Sequence, residues 1–186
     1  MIYEFLGIQP RYDDSNFIAP SADIIGDVAL GSESSVWFNT TIRGDVNWIS
    51  IGRRSNIQDN CCVHVTTQTA PTRIGDEVTI GHSAVIHGCT IENRVLIGMQ
   101  ALIMDHAEVQ SECMIAAGSL VPPGKKLVAG YLYKGSPAKA VRELTDEEKA
   151  SLKQYADNYV KYSRAYLKKD TYSENPFYTP GTSQQG

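Results

Sequence analysis

Of the four histidines in this chain of 186 residues, three stand close together as His64, His82 and His87. Imidazole nitrogens bind zinc at about 2.0–2.1 Å. Three neutral imidazoles leave a fourth position for water, the open arrangement of a catalytic site. Their placement within the local pattern carries more than their number. His64 directly follows Val63 and His87 directly follows Ile86, whereas His82 stands two places after Ile80. His106 has no counterpart of this kind and reads as a surface residue.

The elements that must position them come from a repeat of six. Aliphatic residues recur at Ile18, Ile24, Leu30, Val36 and Ile42, then at Ile51, Ile57 and Val63. They resume at Ile74, Ile80 and Ile86, and again at Ile91, Ile97, Ile103, Val109, Ile115 and Val121. Four places after most of them comes a small or β-branched residue such as Ala22, Thr40, Ser55, Cys61, Ala84 or Cys113. A short strand and a tight turn consume about six residues, and three such units close a triangular coil. The aliphatic fills the interior and the small residue rounds the corner. This predicts an all-β domain over residues 1–122, a left-handed parallel β-helix of hexapeptide repeats.

The pattern breaks between Ile42 and Ile51, between Val63 and Ile74, and between Ile86 and Ile91. The second gap reads as one hexapeptide plus a five-residue loop drawn from residues 66–73, TTQTAPTR. Val63 and Ile86 are then one full coil apart. His64 and His87 are expected to stack on one face, roughly a strand spacing of 4.8 Å apart. His82 falls on the preceding face, around a corner, and points away from that pair within its own chain. Three prisms packed about a threefold axis would set it against the pair of a neighbour.

Past residue 122 the repeat fades, and residues 123–169 read as a connecting segment and a C-terminal helix packed along the β-helix. Thr145 and Glu148 form a capping box. Leu152, Tyr155, Tyr159, Tyr162 or Ser163, and Tyr166 or Leu167 recur at helical spacing as its inward face. Residues 170–186, polar and broken by prolines, read as a flexible tail. A net charge of −4 and a pI near 5.5 argue against nucleic acid and anionic membranes as partners. No apolar run is long enough to span a bilayer, and the N-terminus lacks a secretory pattern. The four cysteines show no CxxC pairing and fit a reducing cytoplasm. Cys61 and Cys113 occupy corner-filling positions.

The segments RGDVNWISIGRRSNIQDNCCVHV (residues 43–65) and IGHSAVIHGC (residues 80–89) resemble the γ-class carbonic anhydrases. The resemblance covers roughly residues 10–167 and is nearest to short bacterial carbonic-anhydrase-like members without a long acidic loop. It implies a homotrimer with interfacial zinc, or alternatively iron(II) or cobalt, held by His64 and His87 of one subunit and His82 of the next. It also implies an interfacial ion pair of Arg43 with Asp45, a water-orienting Gln58, and polar supports at Asn56 and Asp59. Tyr159 is similar to a tyrosine that approaches the site in some relatives. The implied reaction is reversible hydration of CO2 to bicarbonate by a metal-activated water.

Two departures stand out. Val46 occupies the place of a family glutamate, and TTQTAPTR carries no carboxylate to shuttle protons, so slower proton export is expected. Three other functions fit parts of the pattern. They are a hexapeptide acyltransferase using coenzyme A, a metal-dependent thioester hydrolase, and a non-catalytic metal-binding assembly module.

Overall fold

Successive hexapeptides close into triangular coils in the computed structural model, which describes residues 1–172 and 175–178. Three columns of parallel strands form the faces. The first face stacks the opening residues of Asp23–Leu30 and Thr41–Ile51 on Cys62–His64, Val85–His87, Leu102–Ile103 and Leu120–Val121. The second carries the closing residues of the same two long strands, then Thr72–Ile74, Thr90–Ile91, Glu108–Val109 and Lys126–Leu127. The third runs from Phe17–Ile18 through Ser35–Val36, Asn56–Ile57, Thr79–Ile80, Leu96–Ile97 and Met114–Ile115 to Tyr131–Gly135. This is the left-handed parallel β-helix expected from the repeat, with about seven coils.

Burial explains the period. The inward columns Ile24, Ile42, Val63, Ile86, Ile103 and Ile57, Ile80, Ile97, Ile115 are fully buried. The central coils each contribute one aliphatic per face to a continuous core. Corners need compact backbone. Asn39, Asn60 and Ser83 turn the corner between the third and first faces with φ of 57°, 61° and 61°, in the left-handed region. At another corner a Cβ on Gly52 would come within 2.4 Å of the Gly75 carbonyl carbon, so only glycine lets those coils stack.

The coils run past the expected boundary at residue 122. Lys126–Leu127 pairs with Glu108–Val109 and Tyr131–Gly135 pairs with Met114–Ile115. Leu127 and Tyr133 fill inward positions. Two prolines and an aromatic in place of an aliphatic hid this last turn from a six-residue pattern. Ala138–Glu143 then folds back antiparallel and covers part of the open end. Of the expected flexible tail, residues 173–174 and 179–186 lie outside the described residues. Within the described part, Phe177 stacks edge-on against Tyr162 at 5.0 Å.

The helix Asp146–Tyr166 begins with the expected capping box of Thr145 and Glu148. Its buried residues are Leu152, Ala156, Val160 and Ser163, whereas Tyr155 and Tyr166 are exposed. Leu152 and Ser163 of the expected face thus point inward with Ala156 and Val160, and Tyr159, Tyr162 and Leu167 pack partly buried beside them. Small residues let the helix approach the third face closely, and the tyrosines pack along its flank. Tyr159 meets Trp37 edge-on at 5.2 Å, and Phe17 lies 5.0 Å from Trp37. Arg54 ties the helix to a solenoid corner through Asp157 at 2.6 Å and Glu33 at 2.8 Å. Among the described residues no helix is long and apolar enough to cross a membrane.

Glu148 joins the cap to the fold-back strand. Its carboxylate takes both arms of Arg142 at 2.7 Å and the Thr145 amide at 3.0 Å. The Arg142 bonds, with that amide, hold its pKa down at about 2 against an ordinary 4.5. A depressed carboxyl adds stability that is complete above its unfolded pKa and is lost as the pH falls towards the folded one. Glu148→Gln should therefore destabilise the protein at neutral pH. In urea titrations at a series of pH values, the gap to the parent should close between about 4.5 and about 2. A gap that persists in full at the acid end would assign the residue a packing role instead.

Candidate metal centre

His64 and His87 end adjacent strands of the first face in direct register, with Val63 against Ile86 beneath them. Because Val63 and Ile86 point inward, the alternation of a strand sends both imidazoles outward on the same side. Their rings lie 5.1 Å apart, and His64 Nδ1 faces His87 Nε2 at 3.1 Å. Both rings are partly sheltered, with side chains 18% and 34% exposed.

The far nitrogen of each ring meets a carboxylate. His64 Nε2 lies 3.1 Å from Asp45 Oδ1, and His87 Nδ1 lies 2.5 Å from Asp105 Oδ1. Burial opposes the charge on Asp45, yet bonds from His64 and Arg43 outweigh it and hold its carboxyl below the usual range. Asp105 behaves alike: burial opposes its charge, and the bonds from Thr66 and His87 prevail. Both carboxyls are therefore ionised at neutral pH and can only accept hydrogen bonds. His64 Nε2 and His87 Nδ1 must carry the protons. That assignment leaves His64 Nδ1 and His87 Nε2, which face each other, as the ring nitrogens available to an ion.

A divalent cation suits this arrangement. Two nitrogens bound tetrahedrally at about 2.0–2.1 Å stand about 3.3–3.4 Å apart. The observed 3.1 Å needs only a small adjustment. A carboxylate behind each ligand imidazole is the usual way metal-binding histidines are oriented. Among the described residues, no three His, Cys, Asp or Glu side chains of the one chain converge to hold a metal.

His82 lies elsewhere, at the corner between the third and first faces. Its Nδ1 meets Asp59 Oδ2 at 2.9 Å. Gln58 and Asn56 are buried on the third face just before that corner, joined by Gln58 Nε2 to Asn56 Oδ1 at 3.2 Å, and Asn56 donates to Thr79 at 2.9 Å. The sequence-derived residues thus fall into two groups. Arg43, Asp45, His64 and His87 occupy the first face, and Asn56, Gln58, Asp59 and His82 gather at the next corner back. Arg43 bonds Asp45 of its own strand.

Tyr159 belongs with the second group. Burial, with the nearby Asp59 charge, pushes its pKa up to about 12. It borders a recess of about 890 Å³ lined by Trp37, Phe38, Asp59, Tyr162 and Phe177. Asp105 escaped the sequence reading. It stands one coil of 18 residues beyond His87, but a lone aspartate in a corner position gives no sign of its partner without the coil register. The buried cysteines take no part: burial pushes the thiols of Cys61 and Cys89 up to about 12 and that of Cys113 up to about 11.

Comparison with known proteins adds relatives to this geometry. No protein-family model matches the chain. It is 46% identical over 169 residues to a mitochondrial γ carbonic anhydrase 2 of Arabidopsis thaliana, covering 88% of this chain and 61% of that protein. The chain thus spans about three fifths of the plant relative's length. It is 45% identical over 166 residues to a carbonic anhydrase of Geobacillus kaustophilus, covering 89% of this chain and 91% of that one. Among solved structures, a hexapeptide transferase family protein of Anaplasma phagocytophilum superposes with a TM-score of 0.86 at 43% identity. That match covers 89% of this chain and 98% of the other.

Replacing Asp45 by Asn removes the anionic acceptor that fixes the His64 proton. Asp45→Asn should weaken zinc binding about 10–100-fold in competition with a chromophoric chelator. Parental affinity in that variant would assign the carboxylate to Arg43 alone.

Proposed function

The chain belongs to the γ carbonic anhydrase family, and from that premise we propose that it is a homotrimeric, zinc-dependent carbonic anhydrase interconverting CO2 and bicarbonate at sites shared between subunits. The observation that carries this reading is the pair of imidazole nitrogens facing each other 3.1 Å apart on the first face, each ring backed by a carboxylate. Two ligands do not complete a zinc site, and His82 cannot join them within one chain. With its Nδ1 proton held by Asp59, His82 offers Nε2 to an ion held by the pair of a neighbouring subunit. Around the pair, Val46, Trp48 and Val85 are 40%, 42% and 37% exposed, an apolar surface suited to burial against a second copy. The Arg43 guanidinium, 43% exposed, has donors to spare for that partner.

Zinc held this way would make a bound water nucleophilic near neutral pH; iron(II) and cobalt suit the same ligands. The chain's own residues do the rest. Gln58 donates its amide hydrogen to Asn56, which leaves its carbonyl oxygen free to accept a hydrogen bond from a nearby water and so to orient it. Tyr159, with a pKa near 12, stays protonated and serves as a donor at the edge of the recess. The loop of residues 66–73 offers no carboxylate, so protons leave through water and buffer. Turnover should then rise with buffer concentration. Three buried thiols and one exposed one, all unpaired, suit a cytoplasmic location.

One observation favours a second reading. The recess beside Asp59 and Tyr159, at about 890 Å³, is far larger than CO2 requires. Its aromatic lining suits the apolar acyl group of a thioester, which the same site would hydrolyse. No Lys or Arg lines it among the described residues, which disfavours the phosphates of coenzyme A and hence acyl transfer there.

The test is metal content and CO2 hydration on protein purified without oxygen and reloaded with zinc or iron(II). About one metal per chain is expected, with hydration that falls at least 100-fold in His82→Ala while the trimer persists. Metal without hydration in the parent would turn the reading to thioesters. No bound metal would contradict it.

A further inference from the structure

We propose that the loop of residues 66–73 is the positioning element of the two first-face histidines, with Thr66 fixing the His87 ring through Asp105 and Thr72 locking the two histidine backbones together. This inference rests on the metal reading above and assigns that loop a role in place of the missing carboxylate.

The geometry forms a closed chain of contacts. Asp105 divides its oxygens: Oδ1 accepts from His87 Nδ1 at 2.5 Å, and Oδ2 accepts from the Thr66 hydroxyl at 2.6 Å. The Asp105 side chain is 29% exposed, so with one bond alone water would compete for it. The second bond holds the carboxylate plane, and with it the His87 ring. Thr66 is itself pinned. Its amide donates to the Ala70 carbonyl at 2.9 Å, and its carbonyl accepts from Asn47 at 3.1 Å on the strand that carries Asp45. At the other end of the loop, the buried Thr72 hydroxyl donates to the His64 carbonyl at 2.6 Å and accepts from the Gly88 amide at 2.9 Å. Thr72 therefore bridges the residues at the ends of the two ligand strands.

Gly88 shows how closely these parts meet. It has φ of +57°, and a Cβ there would fall 2.6 Å from Asp105 Oδ1 and 2.8 Å from Ala70 Cβ. Only a glycine next to His87 leaves Asp105 room to reach the ring. The loop thus sets the 3.1 Å nitrogen separation before an ion arrives, and binding pays no ordering cost for His87.

The test uses the full chain and zinc as probe. Zinc affinity is measured by chelator competition, and the 15N spectrum of the imidazoles is recorded on metal-free protein. Asp105→Asn should weaken zinc about 10–100-fold. Thr66→Val, which deletes one hydroxyl at constant shape, should weaken it about 3–10-fold, and Thr66→Ser should restore it. The double variant should bind no more weakly than Asp105→Asn alone, because both act through one carboxylate. In the metal-free parent His87 should show the Nδ1–H tautomer only, with mixing in Thr66→Val. A merely structural loop would lower the melting temperature of the metal-free variants and leave zinc affinity unmoved, which would overturn the proposal. So would a Thr66→Val protein with parental affinity. If the parent itself binds no zinc, the metal reading fails, and an unchanged His87 tautomer in Thr66→Val overturns the positioning role separately.

Discussion

The parallel ladder joining Cys62–His64 to Val85–His87 governs the site, because it alone decides which side chains share an edge of the first face. Strand side chains alternate, so a slip of one residue would send the imidazoles into the core and the aliphatics outward. That slip is forbidden by burial. Val63 and Ile86 belong to a fully buried column, and neither could be exchanged for a histidine without placing an unpaired polar ring among isoleucines. The chemistry of the surface is thus held in place by the hydrophobic interior one residue away. The ladder by itself sets the two histidines side by side, and what remains to be fixed is the orientation of their rings.

On that frame, electrostatics divides labour between carboxylates. Asp45, Asp59 and Asp105 each back one histidine, bonding the ring nitrogens that do not face the His64–His87 gap. They orient the rings and would leave the remaining nitrogens to coordinate an ion. The arrangement also explains why one chain looks incomplete. The first-face pair and the group of Gln58, Asp59 and His82 lie on successive parts of the same two coils, and they turn away from each other as a triangular cross-section requires. In a ring of three prisms the two half-sites would meet, and assembly and catalysis would then be a single requirement.

Much of this was legible before any coordinates. The six-residue period exposed the solenoid, and the position of each histidine relative to the inward aliphatic exposed the stacked pair and the isolated third. What stayed hidden involved residues whose partners lie a full coil away without a periodic marker. Asp105 reaches His87 across 18 residues, and Thr66 reaches Asp105 across 39, so neither spacing can be read from local pattern. The last coil was masked by Tyr133, an aromatic doing an aliphatic's work. The helix face was legible at Leu152 and Ser163 but not at Ala156, because close packing on the third face selects a small residue that carries no strong apolar signal.

The central claim, that each metal is shared between two subunits, is tested most directly by mixing two defective chains. His64→Ala and His82→Ala are each expected to assemble as trimers without a complete site. When they are unfolded, mixed in equal amounts and reassembled, one chain can lend its intact His64 and His87 to the intact His82 of the other. In a cyclic trimer with random mixing, about a quarter of the sites should then be whole, and zinc content and CO2 hydration should recover to about that fraction. Mixtures that recover nothing while forming mixed trimers would contradict a shared site. A His82→Ala protein that binds metal and works unaided would contradict it as well.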